Sequence, residues 1–131
     1  MNFNSLKRPP KLSITWHEWL CHSNFSFLLG ASHPEDLLRK AMGENYAGLA
    51  VTDMDGVYGV ARFYRDRKKI HGESLPLRYG AEIHLQPDHD LPLVLQDTLA
   101  LLALSKKGYG NLCRIITYVH RLSKDRAFIA L

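Results

Sequence analysis

Residues 46–52 (YAGLAVT) form a run that is apolar on both faces of an extended chain and ends at a polar turn, residues 53–56 (DMDG). A strand of this kind must be covered on both sides, which is typical of a parallel strand between layers of helices. The polar residues then lie at the carboxyl end of the strand, where parallel α/β folds form their sites. The run therefore predicts an α/β fold with its functional groups at strand ends.

Strand-like and helix-like segments alternate along the rest of the chain, which favours a parallel α/β sheet or barrel. Short apolar runs predict strands over residues 16–22, 46–52, 77–85, 91–96 and 98–104. Amphipathic patterns and local end signals predict helices over residues 32–42, over residues 57–69 and from Lys107 onward.

Local signals mark the ends and the buried faces of these helices. Ser32 and Glu35 have the spacing of a capping box. Pro34 suits the first helical turn, and Gly43 suits the C-terminal stop. Side chains at helical spacing predict the apolar faces of the second and third helices, which consist of Val60, Phe63, Tyr64, Leu112, Ile115, Ile116 and Val119.

Composition limits the class of protein. The 131 residues suffice for one domain with a real core, and a content of 46% hydrophobic and 23% charged residues argues against a disordered chain. A formal net charge of +4 permits an anionic partner without requiring one. Residues 1–14 lack the apolar segment of a signal peptide, and no run is long enough to cross a bilayer. Cys21 and Cys113 form no metal-binding or redox motif, so we expect structural cysteines in a cytoplasmic protein without membrane contact.

Four segments carry a family resemblance: residues 24–37 (NFSFLLGASHPEDL), 48–64 (GLAVTDMDGVYGVARFY), 79–85 (YGAEIHL) and 101–117 (LLALSKKGYGNLCRIIT). In order and spacing they resemble the N-terminal part of the PHP domain (polymerase and histidinol phosphatase type) of bacterial C-family DNA polymerases. The match is to the error-prone branch of DNA polymerase III alpha subunits. The resemblance implies an α/β fold of the PHP type, a distorted (β/α)7 barrel. Residues 16–131 would form roughly its first half, after a flexible arm over residues 1–15.

A half-barrel needs completion. The resemblance implies that the remaining strands come from a longer polypeptide, from another chain or from a second copy. An isolated half-barrel exposes strand edges and apolar surface, so self-association is expected.

The resemblance also implies a metal site at the strand ends, of which this chain keeps only a part. Of the six ligand positions that align within the chain, two retain donor side chains, His22 and Glu82. The other four positions carry Leu20, Leu29, Met54 and Thr98. Leucine has no lone pair, and a methionine thioether is too soft for a hydrolytic metal. We therefore predict no stable multinuclear centre and no cofactor; zinc, manganese or magnesium is expected only if the site is retained against this expectation.

Each candidate residue also has an ordinary structural interpretation. His22 is expected to be a hydrogen-bonded pocket histidine, and Glu82 is expected to pair with Arg78 or with His22. Asp53 and Asp55 flank a turn, where aspartates commonly act as turn or cap residues.

A basic stretch on the second predicted helix is the best candidate for binding nucleic acid or a partner protein. Its candidate residues are Arg62, Arg65, Lys68 and Lys69, with Arg67 beside them. The alternative is a solvated helix face whose cations suit the helix C-terminus. The sequence shows no aromatic-rich platform of the kind that binds single strands.

The leading hypothesis is the N-terminal PHP portion of an error-prone DNA polymerase, with a degenerate metal site and a mainly structural role. DNA replication and lesion-bypass synthesis would belong to the full polypeptide, because this chain has none of the catalytic aspartate motifs of the polymerase and is expected to be inactive alone. The expected partners are the rest of that polypeptide, DNA and other polymerase subunits.

Two alternatives stay open. One is a stand-alone PHP-type metal-dependent phosphoesterase that uses His22, Glu82 and a loop histidine such as His84 or His89. The other is a basic interaction module that binds DNA or a polymerase partner.

Overall fold

A computed structural model of the protein describes residues 15–70, 74–85 and 97–122. The elements in chain order are β1 (His17–Cys21), α1 (Pro34–Gly43), β2 (Gly48–Met54), α2 (Val60–Lys69), β3 (Leu77–His84), β4 (Thr98–Ala103) and α3 (Lys106–Leu122). The predicted strand over residues 91–96 and nearly all of the predicted arm lie outside the described residues. The division into an arm and a domain stays a prediction.

The described strands form one curled sheet in the order β1-β2-β3-β4. β1, β2 and β3 run parallel, as the alternation of strands and helices predicts, whereas β4 pairs antiparallel with β3. The predicted parallel pairing is therefore confirmed for the first three strands and does not extend to β4. A parallel connection needs a crossover, usually a helix, whereas antiparallel neighbours can be joined by a short loop.

All three helices cover the same face of the sheet. α1 and α2 bury Leu38 and Phe63 against the first three strands, in a cluster completed by Cys21, Ala41, Leu49, Val51, Leu75 and Leu77. α3 packs through a second cluster, which consists of Ala81, Ile83, Leu112 and Ile116. The helix-bearing face of the sheet is thus divided between two apolar clusters.

The opposite face of the sheet carries small side chains where its strands approach one another. A Cβ atom on Gly80 would collide with the carbonyl oxygen of Leu101 and would lie 3.1 Å from Cγ2 of Thr52. Glycine at this position therefore permits the close approach of β3 to its neighbours. The curl brings the carboxyl ends of β2 and β3 toward the start of β4.

The start of α1 differs from the predicted capping box. The N-cap residue is His33, and its side chain makes no capping hydrogen bond; Pro34 lies in the first turn, as predicted. Because the helix begins after His33, Ser32 precedes the cap position and Glu35 lies too early for the capping-box partner.

The end of α1 also shifts from the predicted stop. Gly43 is the last helical residue, and the left-handed position is taken by Asn45 with φ of 55°. The backbone N–H of Asn45 donates to the carbonyl of Met42 at 3.1 Å, and that of Tyr46 donates to Ala41 at 2.8 Å. This pair of bonds is a Schellman motif with asparagine in the position that glycine usually takes.

Two residues of the predicted apolar stripes face solvent. Tyr64 on α2 is 55% exposed and Ile115 on α3 is 44% exposed, whereas Phe63 and Ile116 beside them are buried. Consecutive residues point about 100° apart around a helix, and each of these helices packs on only one side, so the second residue of each adjacent pair cannot also reach the core. No described helix has the length and apolar character needed to span a membrane.

Cys21 belongs to the first core cluster, as predicted, and Cys113 on α3 is partly buried. Burial, followed by the charges of Glu18 and Asp53, raises the pKa of the Cys21 thiol to about 12. Cys21 is therefore an apolar core residue rather than a reactive thiol.

Candidate functional site

The candidate site lies where the strand ends converge. His22 follows β1, Met54 ends β2, Glu82 lies near the end of β3 and Thr98 begins the antiparallel β4. Met54 and Glu82 are register partners across β2 and β3. Five of the six ligand positions implied by the family resemblance thus lie at strand ends, on the same end of the sheet. The sixth, Leu29, lies in the loop that follows β1.

The two surviving donor side chains bind each other. Nε2 of His22 lies 2.8 Å from Oε2 of Glu82, and the hydroxyl of Thr98 donates a short hydrogen bond to Oε1. Both oxygens of the carboxylate therefore have a protein partner. The predicted pairing of Glu82 with His22 is confirmed; the guanidinium of Arg78, its other candidate partner, contacts the backbone carbonyl of Leu77 instead.

Apolar side chains occupy the neighbouring positions. Leu20 is 56% exposed and Leu29 is 39% exposed, and neither offers a lone pair. Within residues 15–70, 74–85 and 97–122, no three His, Cys, Asp or Glu side chains are grouped so that they could hold a metal ion. The donor set that the structure brings together is one imidazole and one carboxylate, which does not fit a hydrolytic metal centre. Metal binding by His22 and Glu82 stays a prediction of the family resemblance.

Asp53 organises the loop that follows β1. Its Oδ1 accepts hydrogen bonds from the backbone N–H of Ser23 at 2.8 Å and from the hydroxyls of Ser23 and Ser26, both at 2.9 Å. Its Oδ2 accepts the backbone N–H of Gly59, the N-cap residue of α2, at 3.1 Å. Asp53 is therefore a turn residue, as the sequence suggested, and it also binds two serines from a distant loop.

Space around this carboxylate is tightly filled. A Cβ atom on Gly59 would collide with Oδ2 of Asp53, so only glycine allows α2 to begin there. Ser23 and Ser26 are buried, although Phe27 and Leu28 in the same loop are exposed. The loop is thus held by its small polar residues and presents its large apolar ones to solvent.

A second buried aspartate forms a pair with histidine. Oδ2 of Asp55 lies 2.7 Å from Nδ1 of His84, and Oδ1 accepts the backbone N–H of His84 at 3.1 Å. Asp55 has a left-handed φ of 52°, and its carbonyl lies 2.9 Å from Nε2 of His120 on α3. The side chain of His84 is only 1% exposed, and its Nε2 has no hydrogen-bond partner among the residues that the structure describes.

This geometry corrects the role suggested for His84. The residue lies in β3 rather than in a loop, and a substrate cannot reach its buried ring. His89, the other histidine named for a phosphoesterase, lies outside the described residues. The Asp55 and His84 pair is therefore a structural link between β2 and β3.

Two of the candidate basic residues on α2 form ion pairs with Asp66. Nε of Arg65 lies 2.9 Å and Nζ of Lys69 lies 3.6 Å from Oδ1 of Asp66, whose side chain is 6% exposed. The hydrogen bond from Arg65 holds the pKa of the Asp66 carboxyl below its ordinary value against the opposing effect of burial.

The other two candidate basic residues of α2, Arg62 and Lys68, contact aromatic rings. The guanidinium of Arg62 lies 6.0 Å from the ring of Phe25, and Nζ of Lys68 lies 4.7 Å from the ring of Tyr64. The structure thus gives each of these four cations a local contact. Nucleic-acid binding by this helix face stays a prediction.

Comparison with known proteins places this site in context. Residues 19–129 match the PHP domain family. The chain is 42% identical over 106 residues to an error-prone DNA polymerase from Anaeromyxobacter dehalogenans, covering 79% of this chain and 9% of that protein. An error-prone DNA polymerase from Hahella chejuensis is 39% identical over 113 residues, with 82% of this chain and 10% of that protein covered. The chain spans about a tenth of the length of these relatives.

Solved structures are similar in fold. A provisionally assigned metal-dependent phosphoesterase from Bifidobacterium adolescentis matches 90% of this chain and 41% of its own, at 26% identity and a TM-score of 0.50. An amidohydrolase from Chromobacterium violaceum matches 76% of this chain and 32% of its own, at 20% identity and a TM-score of 0.52, which shows likeness of fold alone.

Proposed function

Because this chain belongs to the PHP domain family, we propose that it is part of an error-prone DNA polymerase and that its strand-end site supports the fold without binding catalytic metals. DNA synthesis across lesions would be carried out by the full polypeptide, in the cytoplasm. The rest of that polypeptide would be the first partner of this chain. The matched part of this chain covers only 9–10% of the error-prone polymerases that it resembles, which supports this placement.

One observation carries the structural role. The carboxylate of Glu82, retained at a position that holds metal in the family resemblance, is bound on one oxygen by His22 and on the other by Thr98. A catalytic zinc needs about three protein ligands and an open position for water. Glu82 and His22 supply two donors that already satisfy each other, and their apolar neighbours supply none.

The same contacts explain what the site does instead. His22 follows β1, Glu82 belongs to β3 and Thr98 begins β4, so the two hydrogen bonds connect three segments of the curled sheet. A hydrogen bond to a charged group contributes about 1.5–3 kcal/mol when it is partly shielded from water. We propose that this network fixes the strand ends in the arrangement that metal ions fix in other members of the family.

The test is the metal content and hydrolytic activity of the chain. The 131-residue chain is washed with chelator, incubated with Zn²⁺ or Mn²⁺, desalted and subjected to elemental analysis, and its turnover of an aryl phosphate is followed in parallel. We expect substoichiometric metal and no turnover above the buffer rate. The His22→Ala variant is the matched control, because it removes the imidazole from the site.

A competing function is phosphoester hydrolysis, the activity provisionally assigned to the Bifidobacterium protein. It is favoured over our proposal if the unmodified chain retains stoichiometric metal, or if it hydrolyses aryl phosphate at a rate that His22→Ala abolishes. Activity that persists unchanged in His22→Ala would point to a contaminating enzyme.

The edges of the sheet suggest how the chain joins its partner. β1 and β4 are the outer strands of the described sheet, and Leu99 on β4 and Leu104 just beyond it are exposed. Unpaired strand edges with apolar side chains pair readily with other chains. We propose that these edges meet further strands of the longer polypeptide, and that the isolated chain self-associates. Light scattering that gives a monomer mass across a wide range of protein concentration would contradict this.

A further inference from the structure

A cleft of about 460 Å³ lies between α2 and α3 on the helix-bearing face of the sheet. Its lining includes Leu77 and Tyr79 from the first residues of β3 and Ala103 from the last residue of β4. Glu82 and His84 lie at the other end of β3. The cleft is therefore at the opposite end of the sheet from the strand-end site and shares no residue with it.

The cleft lies at the boundary between the two apolar clusters. α1 and α2 pack with the first cluster and α3 packs with the second, so their side chains leave open space above the junction of β3 and β4. Tyr79 is the partly buried floor residue beside this junction. The cleft therefore results from the separation of α2 and α3, and it does not reflect loose packing within either cluster.

Three tyrosines from three different elements line the cleft. Tyr64 comes from α2, Tyr79 from β3 and Tyr109 from α3. Burial raises the pKa of Tyr79 and of Tyr109, so both phenols stay neutral and can stack or donate a hydrogen bond at physiological pH. The fold thus brings together three aromatic residues that are far apart in the sequence, so no single stretch of the sequence shows an aromatic platform.

The charges around the cleft have one sign. Arg78 and Lys106 line it, and Lys68 lies 4.7 Å from the ring of Tyr64. None of the described lining residues is acidic, and neither Arg78 nor Lys106 forms an ion pair with any residue that the structure describes. A concave surface with cations and no carboxylate attracts an anionic ligand.

We propose that this cleft, lined by Tyr64, Tyr79, Tyr109, Arg78 and Lys106, binds single-stranded nucleic acid. Bases stack on the tyrosine rings, of which that of Tyr64 is the most exposed, and backbone phosphates lie beside the two cations. A duplex keeps its base faces stacked internally and cannot use the rings in this way. An acidic peptide would pair with the cations but would leave the tyrosines without a stacking partner. The combination of cations and aromatic rings therefore favours a nucleic acid strand.

This proposal is independent of the proposed structural role of the strand-end site. It would survive the discovery of metal at His22 and Glu82, and its failure would leave the metal argument unchanged. It also differs from the basic stretch predicted from sequence. None of Arg62, Arg65, Lys68 and Lys69 lines the cleft, although Lys68 contacts the ring of Tyr64 beside it.

The experiment measures binding of a short, labelled oligothymidylate to the 131-residue chain by fluorescence anisotropy over a range of salt concentration. An abasic oligomer of the same length tests whether bases contribute. Tyr64→Ser removes an exposed ring, Tyr64→Phe keeps it, and the double variant Arg78→Gln/Lys106→Gln removes two cations. Lys40→Gln removes an exposed cation of α1 that pairs with Glu44, outside the cleft, and is the matched control. Circular dichroism checks that each variant is folded.

We expect Tyr64→Ser to weaken binding about tenfold while Tyr64→Phe and Lys40→Gln leave it unchanged, since a stacked base depends on the ring and not on its hydroxyl. The double variant should reduce the slope of log affinity against log salt by about 1.4, the value for two phosphate contacts on a single strand. Equal affinity for the abasic oligomer would overturn the proposal, as would a double variant that loses no more affinity than Lys40→Gln. Displacement of the oligonucleotide by oligoglutamate at matched charge would assign the cleft to an acidic peptide and would also overturn it.

Discussion

Thr98 donates a hydrogen bond to Oε1 of Glu82 at a position where the family resemblance implies a metal-binding histidine. This carboxylate oxygen accepts the hydroxyl proton of Thr98 and would otherwise need a cation or another hydrogen-bond donor. We expect Thr98→Val to lower the free energy of unfolding by about 1–2 kcal/mol, because it leaves one oxygen of a half-buried carboxylate without a partner. Urea denaturation measures the change.

The matched control for that substitution is Thr117→Val on α3. Thr117 is exposed and its hydroxyl donates to the carbonyl of Cys113 within its own helix. We expect a change close to zero there, since water replaces the lost bond. Equal effects of the two substitutions would contradict a special role for Thr98.

Asp53 should be among the most sensitive polar residues of the chain. Asp53→Ala leaves the buried donors of Ser23, Ser26 and Gly59 without their acceptor. We expect a loss of about 3 kcal/mol or more, because each unsatisfied buried donor costs about 1–3 kcal/mol. Denaturant unfolding measures this loss, and Asp36→Ala on the exposed face of α1 should cost less than a fifth as much. A loss at Asp53 that is no larger than at Asp36 would be inconsistent with the described network.

The two cysteines should differ in reactivity. At pH 8 the Cys21 thiol, with a pKa of about 12, is ionised in only about one molecule in ten thousand, and it is also buried. We expect a thiol reagent to modify Cys113 in the native chain and both cysteines after denaturation. Rapid modification of Cys21 under native conditions would show that β1 opens readily.

The same raised pKa makes the stability of the fold depend on pH in the alkaline range. Because the pKa of Cys21 is higher in the folded chain than its ordinary value of 9.0, the unfolded chain loses this proton first. The thiol therefore leaves the free energy of unfolding unchanged below about pH 9 and lowers it as the pH rises from there toward 12. Cys21→Ala should remove this part of the decline, which denaturant titrations at several alkaline pH values would reveal.

Asp66 should give the opposite dependence at acid pH. Its pKa is lower in the folded chain, chiefly because Arg65 donates to it, so folding is favoured when the carboxyl is ionised. That contribution is present above the ordinary pKa of aspartate and is lost as the pH falls through the folded value. We expect Asp66→Asn to flatten the acid limb of the stability profile. An unchanged acid limb would indicate that the contact with Arg65 contributes nothing to stability.

Much of the fold was predictable because strands and helices leave local periodicities. The run around Val51 is apolar on both faces and the spacing around Phe63 is helical, and both elements occur within a few residues of the predicted bounds. The direction of β4 was not predictable in this way, since strand direction depends on the connection and leaves no mark on the strand itself. The exposure of Tyr64 also depends on which side of α2 finds a partner, a tertiary property.

The candidate site was predictable only in part. The pairing of His22 with Glu82 followed from family positions brought together at strand ends. The bonds from Ser23 and Ser26 to Asp53 join residues about thirty positions apart, and short polar residues in a loop have too many possible partners for sequence to select one. The one available signal was the presence of serine hydroxyls among large apolar residues.

The hydrogen bonds that His22 and Thr98 form with Glu82 have an evolutionary consequence. A single substitution to histidine at position 98, where the family resemblance implies one, would remove the hydroxyl that binds Glu82 before enough ligands exist to bind an ion. Each step back toward the ancestral chemistry would thus begin with a penalty in stability and no compensating gain in activity. Under the proposed structural role, the loss of a hydrolytic centre would therefore be entrenched, and selection would act on the stability of the domain and not on its activity.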